Sequence, residues 1–153
     1  MRFSVATIAA AAMLGLASQA AAETVAPGDV KFEDGTVTVS VSGAAGDPAN
    51  GAEVFKSRKL GNCLACHTNS AMNNELFHGD VGPVLDGVAD RWSAEELRAI
   101  VVNSKAVFGD ETVMPGFYSL EVGKFVSEDL VGKTILSAQE VEDVVAYLGT
   151  LKE

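Results

Sequence analysis

The sequence predicts a mainly α-helical domain preceded by a short β-like arm. Three observations carry that prediction. Two helix starts carry a reciprocal Ser-x-x-Glu box, Ser93 with Glu96 and Ser137 with Glu140. A third start is marked by Asp47 before Pro48. Strand-like alternation is confined to Thr36–Ser42, where Val37, Val39 and Val41 alternate with Thr and Ser.

The chain opens with Arg2, an apolar or small stretch from Val5 to Leu16, and Ala20-Ala21-Ala22. That order of positive, apolar and small segments predicts a secretory signal peptide over residues 1–22, cut before Glu23. The apolar run is too short to span a bilayer, and no later stretch approaches that length. An exported protein with bacterial-looking flanks is expected in the periplasm. The mature 131 residues fit one domain.

Residues 23–46 form the arm. Asp34-Gly35 is a turn signal, with Val30 and Phe32 before it and the valine alternation after it. A hairpin, a single strand and a loose arm all fit this pattern. A hairpin so short must lie on the main domain or on another protein.

Residues 47–153 are expected to be the helical domain. The first helix starts at Pro48, puts Gly51, Val54 and Phe55 on one face, and runs out by Leu60-Gly61. The middle helix starts at Ser93 with Leu97, Ile100 and Val101 as its apolar face. The last helix carries Val141, Val144, Val145, Leu148 and Leu151 as one stripe, with Tyr147 beside it.

Between the first two helices lies Cys63-Leu64-Ala65-Cys66-His67. C-x-x-C-H is the signature of covalent haem attachment. Two thiols three positions apart on one helical turn each form a thioether to a haem vinyl group. The next residue then projects an imidazole at the iron. A redox dithiol would need a βαβ context, which is missing here. A structural zinc site needs four ligands. The chain has two cysteines and two histidines in all, and only His78 lies outside the motif. One covalently attached haem c is therefore the expected cofactor.

Composition limits the partners. Cleaving away Arg2 with the leader takes the formal net charge from −10 to −11. So acidic a chain is not built for nucleic acid or for an anionic membrane surface. It favours a partner with a basic or neutral face.

The order of first helix, C-x-x-C-H, Gly82-Pro83-Val84-Leu85, middle helix, Met114-Pro115 and last helix resembles a class I cytochrome c domain. The resemblance implies that the first and last helices cross, with Gly51, Phe55 and Tyr147 at the crossing. It implies Met114 as the distal axial ligand opposite His67, 47 positions earlier. His78 is the rival, and would give a bis-histidine haem of lower potential. Met72, five residues after His67, stays on the proximal side. The family also places a proline carbonyl on the other ring nitrogen of the proximal histidine, a role that falls to Pro83, and Leu85 would pack on the haem.

A narrower resemblance rests on Gly61-Asn62-Cys63-Leu64-Ala65-Cys66-His67, Gly82-Pro83-Val84-Leu85-Asp86-Gly87 and Met114-Pro115-Gly116-Phe117-Tyr118. With the thirteen residues between His67 and Val81 and the arm before the haem domain, these stretches resemble the SoxX family. Members of that family are the mono-haem subunits of SoxAX complexes in bacterial sulfur oxidation. The resemblance implies a heterodimer with a SoxA-like c-type cytochrome. It implies oxidative coupling of thiosulfate to a cysteine of a SoxYZ-like carrier, with electrons leaving through a small soluble cytochrome. Reaction chemistry of the L-cysteine S-thiosulfotransferase type would belong to the complex. The chain alone would carry electrons, and no catalytic residue is assigned to it. Two other readings stay open: a free cytochrome c shuttle to a terminal oxidase or reductase, and a haem protein that binds a small ligand where Met114 is displaced.

Overall fold

A computed structural model describes residues 23–121, 123 and 125–153; the expected leader, residues 1–22, lies outside the described residues. Among the described residues four α-helices carry the fold: α1 (Pro48–Lys56), α2 (Val88–Arg91), α3 (Ala94–Phe108) and α4 (Ala138–Leu148). Short 3-10 turns punctuate the connections, including Cys63–Ala65 and Ser70–Met72.

The helix starts follow from local chemistry. Asp47 accepts the Ala49 N–H at 2.8 Å and Pro48 occupies the first turn of α1. Ser93 and Ser137 each close a full capping box with Glu96 and Glu140. The end of α1 comes earlier than the sequence implies. Ser57 leaves the helical region at ψ 119°. The Gly61 N–H then folds back to the Val54 carbonyl at 3.2 Å and the Asn62 N–H to Ser57 at 2.9 Å. Residues 57–62 thus form a tight turn that delivers the chain to Cys63.

The packing of α1 against α4 is the centre of the domain. A Cβ on Gly51 would stand 1.9 Å from the Asp143 carbonyl oxygen, so the two main chains touch there and only glycine fits. One turn on, the Phe55 and Tyr147 rings meet edge to face, 5.4 Å apart at 61°. Val54, Val141, Val144, Val145 and Leu148 are buried around this contact. Helix α3 packs on α4 with Leu97 and Val101 buried; Ile100 is only half-buried, whereas Ala99 and Val102 are fully buried. The buried face is displaced because α3 is covered by the arm as well as by α4.

The arm departs from strand geometry. Asp34 and Gly35 both have positive φ, 48° and 79°, as a two-residue type I′ turn requires, and Glu33 and Thr36 bridge across it. No β-strand follows among the described residues. Val37 and Val41 are buried, but Val39 is 63% exposed, so the three valines do not share a face. The reason lies in where the main chain finds its partners. The Val37 N–H bonds the Glu95 carbonyl and its carbonyl accepts from Arg98. The Val41 N–H bonds a Glu142 carboxylate oxygen at 2.7 Å, and its carbonyl accepts from Val25. The arm is stitched to α3 and α4 rather than to a second strand. Arg98 and Glu142 form a near-buried two-pronged ion pair beneath it, at 2.9–3.1 Å. Gly46 completes the approach, with its missing Cβ 2.0 Å from the Glu142 carbonyl oxygen.

Candidate functional site

Asn62 enters the C-x-x-C-H run in the left-handed region, φ 49° and ψ 34°, a conformation that asparagine tolerates better than most side chains. That sharp entry starts the 3-10 turn Cys63–Ala65. The N–H groups of Cys66 and His67 both close onto the Cys63 carbonyl, at 3.1 and 2.9 Å. Cys63, Cys66 and His67 therefore share one turn. Both cysteines are unpaired thiols. Burial pushes the Cys63 thiol up to about 12. Leu64 points inward and is buried against the core.

His67 is held by the segment that follows. Its Nδ1–H donates to the Pro83 carbonyl at 2.7 Å, leaving the lone pair on Nε2. Gly82 lies flat on the ring, where a Cβ would come within 2.3 Å of Cε1. The Gly82 N–H bonds the Cys66 carbonyl at 2.8 Å, and the Leu85 N–H bonds the Thr68 carbonyl at 3.0 Å. Leu85 is partly buried against the core. Two free thiols and a ring nitrogen whose tautomer is set from behind form a donor set that fits a covalent haem c.

The segment between the motif and Gly82 is pinned as well. Asn69 is fully buried; its amide donates to the Tyr147 hydroxyl at 2.8 Å, and its Oδ1 accepts the Ala71 N–H at 3.0 Å. Ser70 gives both its N–H and its hydroxyl to Asp86. Met72 is buried. His78 has both ring nitrogens engaged within this same segment, one accepting from the Asn69 N–H and the other donating to the Met72 carbonyl. Asn69 carries no signal that sequence reasoning uses, because the motif draws attention to the residues before it.

Met114 lies half-buried against the core, on the loop after α3. Its carbonyl accepts from the buried Ser104 hydroxyl at 2.6 Å. The loop continues into Phe117 and Tyr118, both buried, and the Tyr118 hydroxyl reaches the arm at the Val25 carbonyl, 2.8 Å away. Around the motif, the cations Lys56 and Arg58 are partly answered. Lys56 bridges Glu53 and Glu75 at 2.9 and 3.3 Å, and the Arg58 guanidinium sits 5.3 Å from the centre of the Phe77 ring. Among the described residues no cluster of three or more His, Cys, Asp or Glu side chains could hold a bare metal ion. Nor is any helix among them long and apolar enough to cross a membrane.

Comparison with known proteins agrees with this geometry. The family model described as Cytochrome c matches residues 48–152. The chain is similar to a chain of the crystal structure of SoxXA from P. pantotrophus, at 41% identity and a TM-score of 0.78, covering 85% of this chain and 99% of that one. A weaker likeness, to ferric cytochrome c-550 from Paracoccus versutus, has 20% identity and a TM-score of 0.38 over 71% of this chain and 99% of that one. No match is found among curated proteins.

Proposed function

We propose, from the premise that this chain belongs to the cytochrome c family and to its SoxX branch, that it serves a SoxAX-like complex as the electron-transfer subunit in thiosulfate oxidation. The observation that carries the reading is the 41% identity extending over 99% of a chain from SoxXA. The paired thiols and the oriented imidazole support it from within the molecule.

In this reading Cys63 and Cys66 would hold haem c through thioethers. His67 presents Nε2 to the iron while Pro83, accepting from Nδ1, fixes the tautomer and raises the basicity of the ligand. Met114 would supply a second iron ligand through its sulfur, and Leu85 would pack on the haem. Bound in this way, haem c supplies a one-electron couple, with histidine–methionine ligation favouring a raised potential. The chain contributes rigidity. Hydrogen bonds that pin the segments around His67 and Met114 would hold both side chains in place and limit the reorganisation that opposes electron transfer.

The partner is a SoxA-like c-type cytochrome in a heterodimer. The complex couples thiosulfate to a cysteine of a SoxYZ-like carrier, a sulfur–sulfur bond formation that releases two electrons. Those electrons pass singly through this subunit to a small soluble cytochrome. The setting is the periplasm, reached by removal of residues 1–22. Enzymatic activity of the L-cysteine S-thiosulfotransferase type belongs to the assembled complex.

Gentle affinity purification from the periplasm of thiosulfate-grown cells, followed by haem staining of the separated polypeptides, tests this. The expected result is a second haem-bearing band in equal amount, and thiosulfate-dependent reduction when the carrier protein is added. A single haem band from a monomeric protein would overturn the complex and leave a free electron shuttle.

A further inference from the structure

Helix α3 is broken from within at Asn103. Its φ of −154° and ψ of 91° lie outside the helical region, although helix resumes and continues to Phe108. In an unbroken helix the carbonyls of Val101 and Val102 would accept from the N–H groups of Lys105 and Ala106. Here the Lys105 N–H turns instead to Oδ1 of Asn103 at 3.2 Å, the bond an N-cap side chain makes to a new helix.

The released carbonyls are taken by the loop that carries Met114. The Phe117 N–H donates to Val101 at 3.1 Å and the Tyr118 N–H to Val102 at 3.0 Å. One residue past the break, the fully buried Ser104 hydroxyl donates to the Met114 carbonyl at 2.6 Å. Gly116 packs on the Asn103 amide so closely that a Cβ would stand 2.9 Å from Oδ1. Each residue of Val101–Ser104 thus contacts the Met114–Tyr118 loop. A plain helix defect would leave unpaired carbonyls; this one hands them to the loop.

We infer that the Asn103–Ser104 break is a positioning device that sets how firmly Met114 is held toward the haem iron, and through that the potential. The inference rests on the reading of Met114 as axial ligand. A thioether bonds iron weakly, so the loop's own conformational preference decides how often the sulfur is in place. With the carbonyls of Val101 and Val102 recaptured by an intact helix, the loop would lose two main-chain bonds together. That loss shifts the balance between held and released methionine on the order of tenfold.

The test uses the full-length holo-protein carrying Asn103→Ala, Asn103→Asp, Ser104→Ala or Met114→Ala. Val37→Ala, a buried position within the arm, serves as a stability control. Four quantities are read: the sulfur-to-iron charge-transfer band of the ferric protein, the midpoint potential, carbon monoxide binding to the reduced protein, and Tm. Asn103→Ala and Ser104→Ala are expected to weaken the band, lower the potential and raise carbon monoxide binding about tenfold. Asn103→Asp keeps an acceptor for the Lys105 N–H and should stay near wild type. Val37→Ala should lower Tm alone. Should Asn103→Ala fail to yield holo-protein, Ser104→Ala, which deletes a single oxygen, carries the same test. If both variants behave like Val37→Ala while Met114→Ala shifts the potential, the positioning role is overturned and the ligand reading stands. If Met114→Ala itself leaves band and potential intact, the ligand reading falls and the inference falls with it.

Discussion

Gly82 presses its α-carbon against the face of the His67 imidazole, so that a Cβ there would lie 2.3 Å from Cε1 and 2.6 Å from Nδ1. The adjacent residue, Pro83, takes the Nδ1 proton. One dipeptide therefore fixes both the plane of the ring and its tautomer. Gly82→Ala should force the ring aside and lower the stability of the holo-protein by about 1–3 kcal/mol, the usual cost of overpacking. It should also shift the midpoint potential. The exposed neighbour Val84, changed to alanine, should move neither. Denaturant titration with potentiometry on the two variants decides the matter.

Removing Met114 and removing a cysteine should have opposite consequences. Met114→Ala leaves both thioethers in place, so haem staining should persist on a denaturing gel while the potential falls and carbon monoxide binds the reduced protein. Cys63→Ala or Cys66→Ala removes one attachment point and should leave little haem-stained protein. An unchanged potential and spectrum in Met114→Ala would put the second ligand elsewhere. His78 is poorly placed to substitute, because both its ring nitrogens already serve the backbone of its own loop.

Asp143 should make the α1–α4 contact acid-sensitive. Burial pushes its carboxyl up, but the Asp47 N–H and the amides of Asn50 and Gln139, at 2.6–2.8 Å, outweigh burial and hold it below the ordinary carboxylate range. A carboxyl depressed in the folded state adds stability above its unfolded pKa of about 3.9, and that contribution is lost as pH falls through the folded value. Asp143→Asn should cost about 1–3 kcal/mol at neutral pH. The gap to wild type should narrow below about pH 4. Denaturation curves at neutral and acid pH, on otherwise identical holo-proteins, give the comparison.

The helical domain was legible because its signals are local. Ser93 with Glu96, Ser137 with Glu140 and Asp47 with Pro48 announce helix starts within four residues, and each cap forms. Gly51, Phe55 and Tyr147 meet as the family resemblance implies. Legibility ended where the partner of a main-chain group is distant in sequence. The alternation of Val37, Val39 and Val41 reads as a strand, but the bonds of Val37 and Val41 go to Glu95, Arg98 and Glu142, and Val39 faces outward. The α3 break was equally hidden. Asn103 sits inside a regular apolar pattern, and its departure from helix is stabilised by Phe117 and Tyr118, more than a dozen residues on.

The last prediction concerns the ion pair beneath the arm. Glu142 binds the Arg98 guanidinium with both oxygens and also accepts the Val41 N–H. The two side chains are only 12% and 4% exposed, so neither charge can fall back on water if the other is removed. Glu142→Leu alone strands the guanidinium, and Arg98→Met alone strands the carboxylate. Each should cost about 3–5 kcal/mol. The double variant leaves no buried charge and should cost well under the sum of the two, since an apolar pair of similar volume replaces an ion pair with little net loss. The arm reports the same event independently. Both Glu142→Leu variants remove the acceptor for the Val41 N–H, so limited proteolysis within residues 38–45 should accelerate in each. Arg98→Met keeps that acceptor but loses the bond to the Val37 carbonyl, and cleavage should accelerate less. Costs in the double variant that simply add would mean that the pair acts as two separate anchors rather than one.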